Sequence, residues 1–427
     1  MKDNFQIIFL VVFIFAAIVG ILVFSGAIPL GGDEDGQGIG TVFLWGTVKS
    51  QTIIPLLEEF NATNENFVVA YVEKNEETFD QDLLEALATG QGPDMFFLPN
   101  DLAFHYANKI FTIPYDSYPL APFKKNFAGA GEVFLTSRGI LAFPLTIDPL
   151  VLYYNRSILD ANNVVFPPTD WDEFTNQVSL LTKKDDSDKI TKSGIALGHF
   201  SNVTHAKDIL ATLFMQTGDQ IVVEKNGSFI SVLNKNNTLS PVLQFYTDFA
   251  DPLKTVYSWN KSFTNSHDFF STNNLAFYFG FASELSSLVN KNPNQNFQVA
   301  PVPQIKNAPF KLTGAKVTGI ALSSFSKNFT TAFIAASQMA TGDFAKKLAN
   351  VLGVAPARRD LLAQVPKDAY SPTFYASALY ARSWLDPSPE DTDNIFRTMV
   401  DSVLSNNMIP INAVRDAGAK LSLLLLR

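Results

Sequence analysis

The chain has 427 residues, no cysteine and a formal net charge of −9 at pH 7. The acidic balance excludes a nucleic-acid partner held by phosphate contacts. The absence of cysteine excludes disulfides, thiolate catalysis, zinc–thiolate sites and a lipid-modified N-terminal cysteine. No metal site or cofactor is predicted, because the four histidines, His105, His199, His205 and His267, lack metal-ligand spacing. A chain of this length is too long for one core and predicts two large lobes.

The first predicted element is an apolar segment from Phe5 to Phe24 with one polar side chain. About 20 apolar residues span a bilayer core, and Lys2 before the run predicts that the body lies on the extracytoplasmic side. Residues 1–27 are therefore predicted to be a retained single-pass anchor, which the length favours, or a cleaved signal segment ending at Ser25–Ala27. Residues 28–40, rich in glycine and acids, predict a flexible linker.

Strands and helices are predicted to alternate after the linker. Short apolar runs predict strands over Gly40–Gly46, Phe67–Glu73 and Asp94–Pro99, and amphipathic helices are predicted in the two intervals between them. This alternation is typical of a parallel α/β sheet, in which ligands bind beyond the carboxyl ends of the strands. Trp45 and the pair Asn100–Asp101 are therefore expected at the same edge of the sheet.

The segment "FPLTIDPLVLYYN" (Phe143–Asn155) reads as a strand that is interrupted at Asp148–Pro149 and then resumes. Such an interruption is a candidate crossover between two lobes. Further strands are predicted within "SGIALG", "NLAFYFGF", "FQVAPVPQ" and "KVTGIALSS", with helical segments between them, and the C-terminal part has mainly helical periodicity.

No catalytic residue is predicted, because the chain lacks a nucleophile elbow, a phosphate-binding loop and a dinucleotide fingerprint. Three of the four tryptophans, Trp45, Trp259 and Trp384, fall in polar loops, whereas Trp171 beside a helix start is expected to pack. Flat rings stack on the apolar faces of sugars, while Asp and Asn hydrogen-bond the sugar hydroxyls. The loop tryptophans are therefore candidate sugar-binding residues, with partly buried structural anchors as the alternative.

Several strings, taken in order, resemble family 1 extracellular solute-binding proteins of ABC transporters, the maltose- and oligosaccharide-binding group. They are "DLLEALATGQGPDMFFLPND", "FPLTIDPLVLYYNRSIL", "PPTDWDEF", "AFYFGFASEL" and "SWLDPSP". Each string is weak alone, and the ordered set covers nearly all of residues 41–427. The resemblance implies a class II periplasmic-binding-protein-like α/β fold, in which two lobes joined by a hinge close over ligand.

The resemblance also implies where the boundaries of the two lobes lie in the sequence. The N-lobe is expected over 41–147 plus 315–355, and the C-lobe over 148–314 plus 356–427. The hinge is expected to cross at three places, near Ile147–Asp148, near Gly314–Val317 and near Ala355–Pro356. The implied hinge residues are Asp148, Pro149, Gly314 and Pro356.

Matched residue by residue, the resemblance implies six ligand contacts. Asp101 matches an acid after the third strand, and Asp148 matches a hinge acid. The others are Asn202 in a loop with Phe200, Phe281 with its neighbour Tyr278, and the C-terminal aromatic Trp384. Leu98 and Leu102 stand where maltose binders carry Trp and Arg, so the resemblance does not imply maltose itself.

The predicted function is capture of a sugar or oligosaccharide in an inter-lobe cleft and delivery to the permease of an ABC importer, by a monomer that is not an enzyme. One alternative is a membrane-tethered carbohydrate-active enzyme, which a suitably spaced pair of cleft carboxylates would favour. Another is a sensor or adhesin that uses the same fold without transport.

Overall fold

A computed structural model describes residues 40–426 of the chain, apart from 234, 236 and 237. The predicted anchor or signal segment, 1–27, and the linker up to residue 39 lie outside the described residues. Within the part that is described, no helix is both long and apolar enough to cross a membrane.

The first five elements alternate between strand and helix, as the sequence predicts. They are β1 (Gly40–Gly46), α1 (Ser50–Ala62), β2 (Phe67–Glu73), α2 (Phe79–Ala88) and β3 (Met95–Pro99). Helix α2 buries Phe79, Leu83 and Leu87, which lie one turn apart on one face. Gly90 follows it with φ +69°, a left-handed conformation that glycine adopts without strain, and it turns the chain towards β3.

Strands β2, β1 and β3 lie side by side and are parallel, with Trp45 of β1 paired to Val72 and to Phe96. The predicted parallel α/β arrangement of this part is therefore confirmed. Asn100 and Asp101 follow β3 directly in a short 3-10 turn, so they lie at the carboxyl edge of the sheet.

The remaining strands and helices, in chain order, are α3 (Leu120–Asn126), β4 (Leu135–Thr136), β5 (Gly139–Ile140), β6 (Phe143–Asn155), α4 (Arg156–Ala161), α5 (Trp171–Leu181), β7 (Lys183–Lys184), β8 (Ile190–Ile195), α6 (Ala206–Gln216), β9 (Val222–Lys225), β10 (Ser228–Ser231), α7 (Leu239–Asp248), α8 (Ser266–Ser271), β11 (Leu275–Phe281), α9 (Leu285–Lys291), β12 (Phe297–Ala300), β13 (Thr313–Leu322), α10 (Phe329–Thr341), α11 (Asp343–Leu352), β14 (Ala355–Pro356), α12 (Arg359–Leu362), α13 (Ser371–Tyr380), β15 (Ala381–Arg382), α14 (Pro389–Leu404) and α15 (Pro410–Leu424).

The main sheet runs in the order β2-β1-β3-β13-β6-β11-β8-β7. Strand β6 is the long central member of this sheet. Its first half pairs with β13 and β14, and its second half, from Leu150 onward, pairs with β11 and β12. The same strand therefore belongs to two different parts of the molecule.

Two separate hydrophobic cores divide the molecule where β6 and β13 pass from one half to the other. The N-lobe core gathers buried residues between 42 and 147 and between 317 and 385. The C-lobe core gathers those between 150 and 312, together with Phe374 and residues between 396 and 425. The cores part between Ile147 and Leu150 in β6, and between Leu312 and Val317 around β13. Those two places coincide with the first two expected hinge crossings.

The third crossing lies later in the chain than the expected boundary at Ala355–Pro356. Strand β14 pairs with the N-lobe half of β6, and Ala355, Ala357 and Leu362 belong to the N-lobe core. Helix α13 then lies between the lobes, with Phe374 in one core and Tyr375 in the other. The last N-lobe core residue is Leu385, and the C-lobe core resumes at Phe396, so the final crossing lies between these two residues. The prediction that Pro356 lies at a crossing is therefore corrected.

Candidate ligand-binding cleft between the lobes

Two adjoining cavities, of about 590 and 120 Å³, lie between the lobes. The larger cavity is bordered by N-lobe residues between 129 and 135 and by C-lobe residues 218–224 and 310–312. The smaller cavity lies among the ends of β3, β13 and α6. Both cavities share Met215, Arg382, Ser383 and Trp384, so they form one continuous cleft.

Asn100 and Asp101 line the smaller cavity. The Asn100 side-chain oxygen accepts a hydrogen bond from the Val317 N–H at 2.8 Å, which fixes the chain after β3 to β13. Burial raises the pKa of Asp101, and the charges of Lys316 and Lys207 partly oppose that rise. Asp101 therefore offers a hydrogen-bond acceptor inside the cleft. Its pKa depends on the burial and on the charges that surround it.

A buried ion pair forms one wall of the smaller cavity. The Lys207 ammonium donates to Asp386 Oδ2 at 2.9 Å, to the Pro389 carbonyl at 3.0 Å and to Thr392 Oγ1 at 3.1 Å. Asp386 is 3% exposed, and burial raises its pKa although Lys207 opposes the rise. All three N–H bonds of Lys207 are thus occupied, and they join α6 to the start of α14.

Trp384 is the aromatic residue of this cleft that the sequence predicts. Its ring is stacked on Phe396 of α14, with 6.2 Å between centroids and 25° between planes, and it is half-buried. It borders both cavities. An indole that is supported on the core and open to the cleft can stack on the apolar face of a sugar ring.

Two predicted ligand residues, Trp259 and Asn202, pack against each other in the C-lobe instead of reaching the cleft. Trp259 is 0% exposed, and its indole N–H donates to Asn202 Oδ1 at 3.0 Å. The Asn202 amide in turn donates to the carbonyls of Asn260, at 2.9 Å, and Phe263, at 3.1 Å. The loop position of Trp259 therefore reflects a buried structural anchor, and its assignment to the ligand is corrected.

Tyr278 and Phe281 of β11 are also buried, at 1% and 2% exposure. The Tyr278 hydroxyl donates to Glu284, and the Lys316 ammonium lies 4.6 Å above the Phe281 ring. Neither ring lines either of the two cleft cavities. The assignment of Tyr278 and Phe281 to the ligand is therefore corrected, because both rings, like that of Trp259, are buried in the protein.

Trp45 lies outside the two cavities at the end of β1. It is half-buried against the N-lobe core, and the Lys74 ammonium lies 3.7 Å from the centre of its ring. The cation covers the face on which a sugar would stack, so the structure does not bring Trp45 together with Asp101 and Trp384.

Asp148, which is predicted to lie at the hinge, is found where the two cores part and lines neither cavity. Its Oδ1 accepts the Ser283 N–H at 3.0 Å, and its backbone pairs with Lys316. Burial raises the pKa of Asp148 to about 6, with the hydrogen bond from Ser283 and the charge of Lys316 opposing the rise. Its neighbour Pro149 pairs with Ala315 of β13 at the same crossing, and Gly314 lines the smaller cavity.

We expect Asp148→Asn to stabilise the protein at pH 8 and to have no effect below about pH 4. A carboxyl whose pKa is raised in the folded state stabilises that state at low pH, and this contribution is lost as pH rises through about 6. The amide oxygen of the variant still accepts from Ser283, and the gain is at most about 3 kcal/mol. Denaturant unfolding at both pH values measures it, with exposed Asp116→Asn as the control. Equal gains at both pH values would contradict the assignment.

The lobes touch each other beside the larger cavity. Glu224 of β9 accepts the Ser137 N–H at 2.7 Å and also the Ser137 hydroxyl, and the rings of Phe104 and Phe229 meet edge to face at 5.7 Å. Both rings pack against both cores. The structure therefore presents the lobes in contact across the cleft.

Several cleft residues carried no signal in the sequence. Lys207, Asp208 and Met215 lie on one face of α6, which reads as an ordinary amphipathic helix, and Lys316 lies inside a strand. Arg382 could have been found from its position two residues before Trp384. Among the described residues, no group of histidines and acids could hold a metal ion.

Two α/β lobes, shared central strands and a cleft with an aromatic platform and hydrogen-bonding groups define a cleft-type binding protein. The chain belongs to the bacterial extracellular solute-binding protein family, whose model matches residues 46–359. The predicted resemblance and the prediction of a binding protein rather than an enzyme are thereby confirmed. No curated protein matches the chain.

Solved structures of sugar-binding proteins share the fold. A cyclo/maltodextrin-binding protein complexed with maltotetraose has TM-score 0.73 and 16% identity, over 91% of this chain and 98% of that one. A sugar transporter protein from Rhizobium etli in an open conformation has TM-score 0.70 and 16% identity, over 89% and 98%. The GacH receptor of Streptomyces glaucescens, solved with acarbose, has TM-score 0.67 and 19% identity, over 91% and 99%.

Proposed function

We propose that this solute-binding protein captures a sugar or oligosaccharide between its lobes and delivers it to an ABC importer. The observation that carries the proposal is the juxtaposition of Trp384 with Asp101 in one cleft. The similar structures named above include complexes with maltotetraose and acarbose, which supports the same ligand class here.

The chemistry of the cleft suits a polyhydroxylated ring. The Trp384 indole offers an apolar face, and the Asp101 carboxylate and the Asp208 side chain offer acceptors for hydroxyl groups. A cavity of about 590 Å³ is within the usual range for small-molecule sites. Ligand that contacts both lobes shifts the population towards the closed arrangement.

We further propose that the body works on the extracytoplasmic side, as the family's description implies, and as a monomer. The apolar segment from Phe5 to Phe24 would hold it at the membrane, with residues 28–40 as the linker. Capture then takes place close to the permease that receives the ligand.

The test is a ligand screen on the purified body, residues 40–427, by thermal shift and then calorimetric titration. We expect at least one oligosaccharide from a panel of neutral and acidic sugars to bind saturably and raise the melting temperature. Amino acids and divalent cations tested in parallel serve as controls. Saturable binding of an amino acid or a metal, with no response to any saccharide, would contradict the proposal.

A further inference from the structure

Arg382 is a cation of the cleft whose charge is not neutralised by the protein. It lies at the junction of the larger and smaller cavities and is exposed to them. Its Nη1 donates to the carbonyl of Ala381 at 2.9 Å, and no carboxylate of the described residues lies within 4.0 Å of its guanidinium. Most of its N–H donors therefore remain available to a ligand.

The position of Arg382 is fixed by its surroundings. Strand β15, which contains it, pairs with Thr313 and Gly314 of β13, so the residue is anchored at the hinge. The guanidinium rests on Gly129, where a Cβ would lie 1.9 Å from Nη1 and 2.5 Å from Cζ. A Cβ at residue 129 would displace the guanidinium, so glycine at this position leaves room for the guanidinium where it now lies.

The acids of the larger cavity already have partners. Glu132 pairs with Lys124 at 3.2 Å, Glu224 accepts from Ser137, and Asp219 accepts from Thr238 at 2.6 Å. Lys311, a second cation lining this cavity, is exposed and has no ion pair among the residues that the structure describes. Glu224 and Asp219 keep their negative charge, but their oxygens already accept hydrogen bonds from neutral donors. In the described part of the chain, Arg382 and Lys311 are therefore the two cations lining this cavity that remain without an ion pair and can bind an anionic group of a ligand.

The hydroxyls of a neutral sugar can accept hydrogen bonds from this guanidinium, but they leave its charge uncompensated, and covering an unpaired charge is unfavourable. A planar carboxylate can instead accept two parallel hydrogen bonds from it. We propose that the ligand is an acidic saccharide, such as a uronic-acid oligosaccharide, whose carboxylate binds Arg382 while a sugar ring stacks on Trp384. This inference rests on the proposed function and narrows its substrate class.

The test compares uronic-acid oligosaccharides of galacturonate, glucuronate, mannuronate and guluronate with their methyl esters by calorimetric titration. The esters keep the sugar rings and replace each carboxylate with an uncharged methyl ester. We expect one acid to bind roughly 10- to 100-fold more tightly than its ester, as charged hydrogen bonds of this kind imply. The preference should disappear in Arg382→Gln and weaken in Arg382→Lys, which keeps the charge but loses the fork of donors.

Arg397→Gln is the matched control, because Arg397 is paired with Asp393 at 2.8 Å and lines neither cleft cavity. It should keep the wild-type preference for the acid. If a neutral sugar or ester binds as tightly as every acid, or if Arg382→Gln keeps the preference, this inference is wrong while sugar binding stands. If no saccharide binds at all, the proposed function fails and this inference fails with it.

Discussion

Replacing Trp384 with alanine is expected to weaken sugar binding by roughly 30- to 1,000-fold, the range for a central aromatic contact worth about 2 to 4 kcal/mol. The ring borders both cavities and is held in place by Phe396. Its loss removes the apolar platform while the polar groups of the cleft remain. Calorimetric titration of the sugar found in the ligand screen measures the change.

Trp45→Ala is the matched control, because that ring lies outside the cavities and is covered by Lys74. It should bind the same sugar with affinity close to that of the wild type. Trp384→Phe keeps a flat ring and should recover part of the lost affinity. If Trp45→Ala loses binding and Trp384→Ala does not, the ligand stacks at the end of β1 and the cleft described here is not the site.

Replacing Lys207 with methionine is expected to lower the free energy of unfolding by about 3 to 5 kcal/mol, because it leaves a buried carboxylate without its partner. Asp386 is 3% exposed and would keep only its hydrogen bonds from Thr392 and the Ser388 N–H. Its pKa, already raised by burial, would rise further. The loss should be full at neutral pH and should shrink as the pH falls and the Asp386 carboxylate takes up a proton.

Denaturant unfolding measures this loss at pH 7.5, well above the usual carboxyl pKa of about 4, and at pH 4, close to it. The double variant Lys207→Met with Asp386→Asn should recover most of the stability, since no charge is left unpaired. Lys183→Met on the exposed strand β7 should change stability by no more than about 0.5 kcal/mol. A Lys207→Met protein as stable as the Lys183→Met control would show that the ion pair is dispensable.

Most of the fold could be predicted from local pattern. The boundaries of β1 and β2 agree with the apolar runs that predict them. Asp148–Pro149 does not interrupt its strand, because β6 is continuous there, but these two residues lie where the two cores part. The third crossing could not be located in this way. Ala355 joins the N-lobe because it pairs with Ile147 of β6, and such pairing between distant residues leaves no periodic signal.

The cleft was only partly predictable. The cleft positions of Asn100 and Asp101 could be predicted, because ligands bind at the carboxyl ends of parallel strands. The cleft position of Trp384 could be predicted because it is an aromatic residue in a polar loop. The same reasoning fails for Trp259, because a tryptophan in a polar loop can still turn inward when an amide such as Asn202 accepts its N–H. Whether a loop side chain points into a cleft or into a core depends on tertiary packing.

The shared central strands have a consequence for synthesis of the chain. Phe97 pairs with Ile320 and Ile147 pairs with Ala355, so the N-lobe sheet cannot close before those late residues emerge. The C-lobe core waits for α14 and α15. At ~5–20 residues per second, synthesis of these parts takes roughly 20 to 80 s, during which neither lobe can complete its core. The interleaved topology therefore delays completion of both cores until nearly the whole chain has been synthesised.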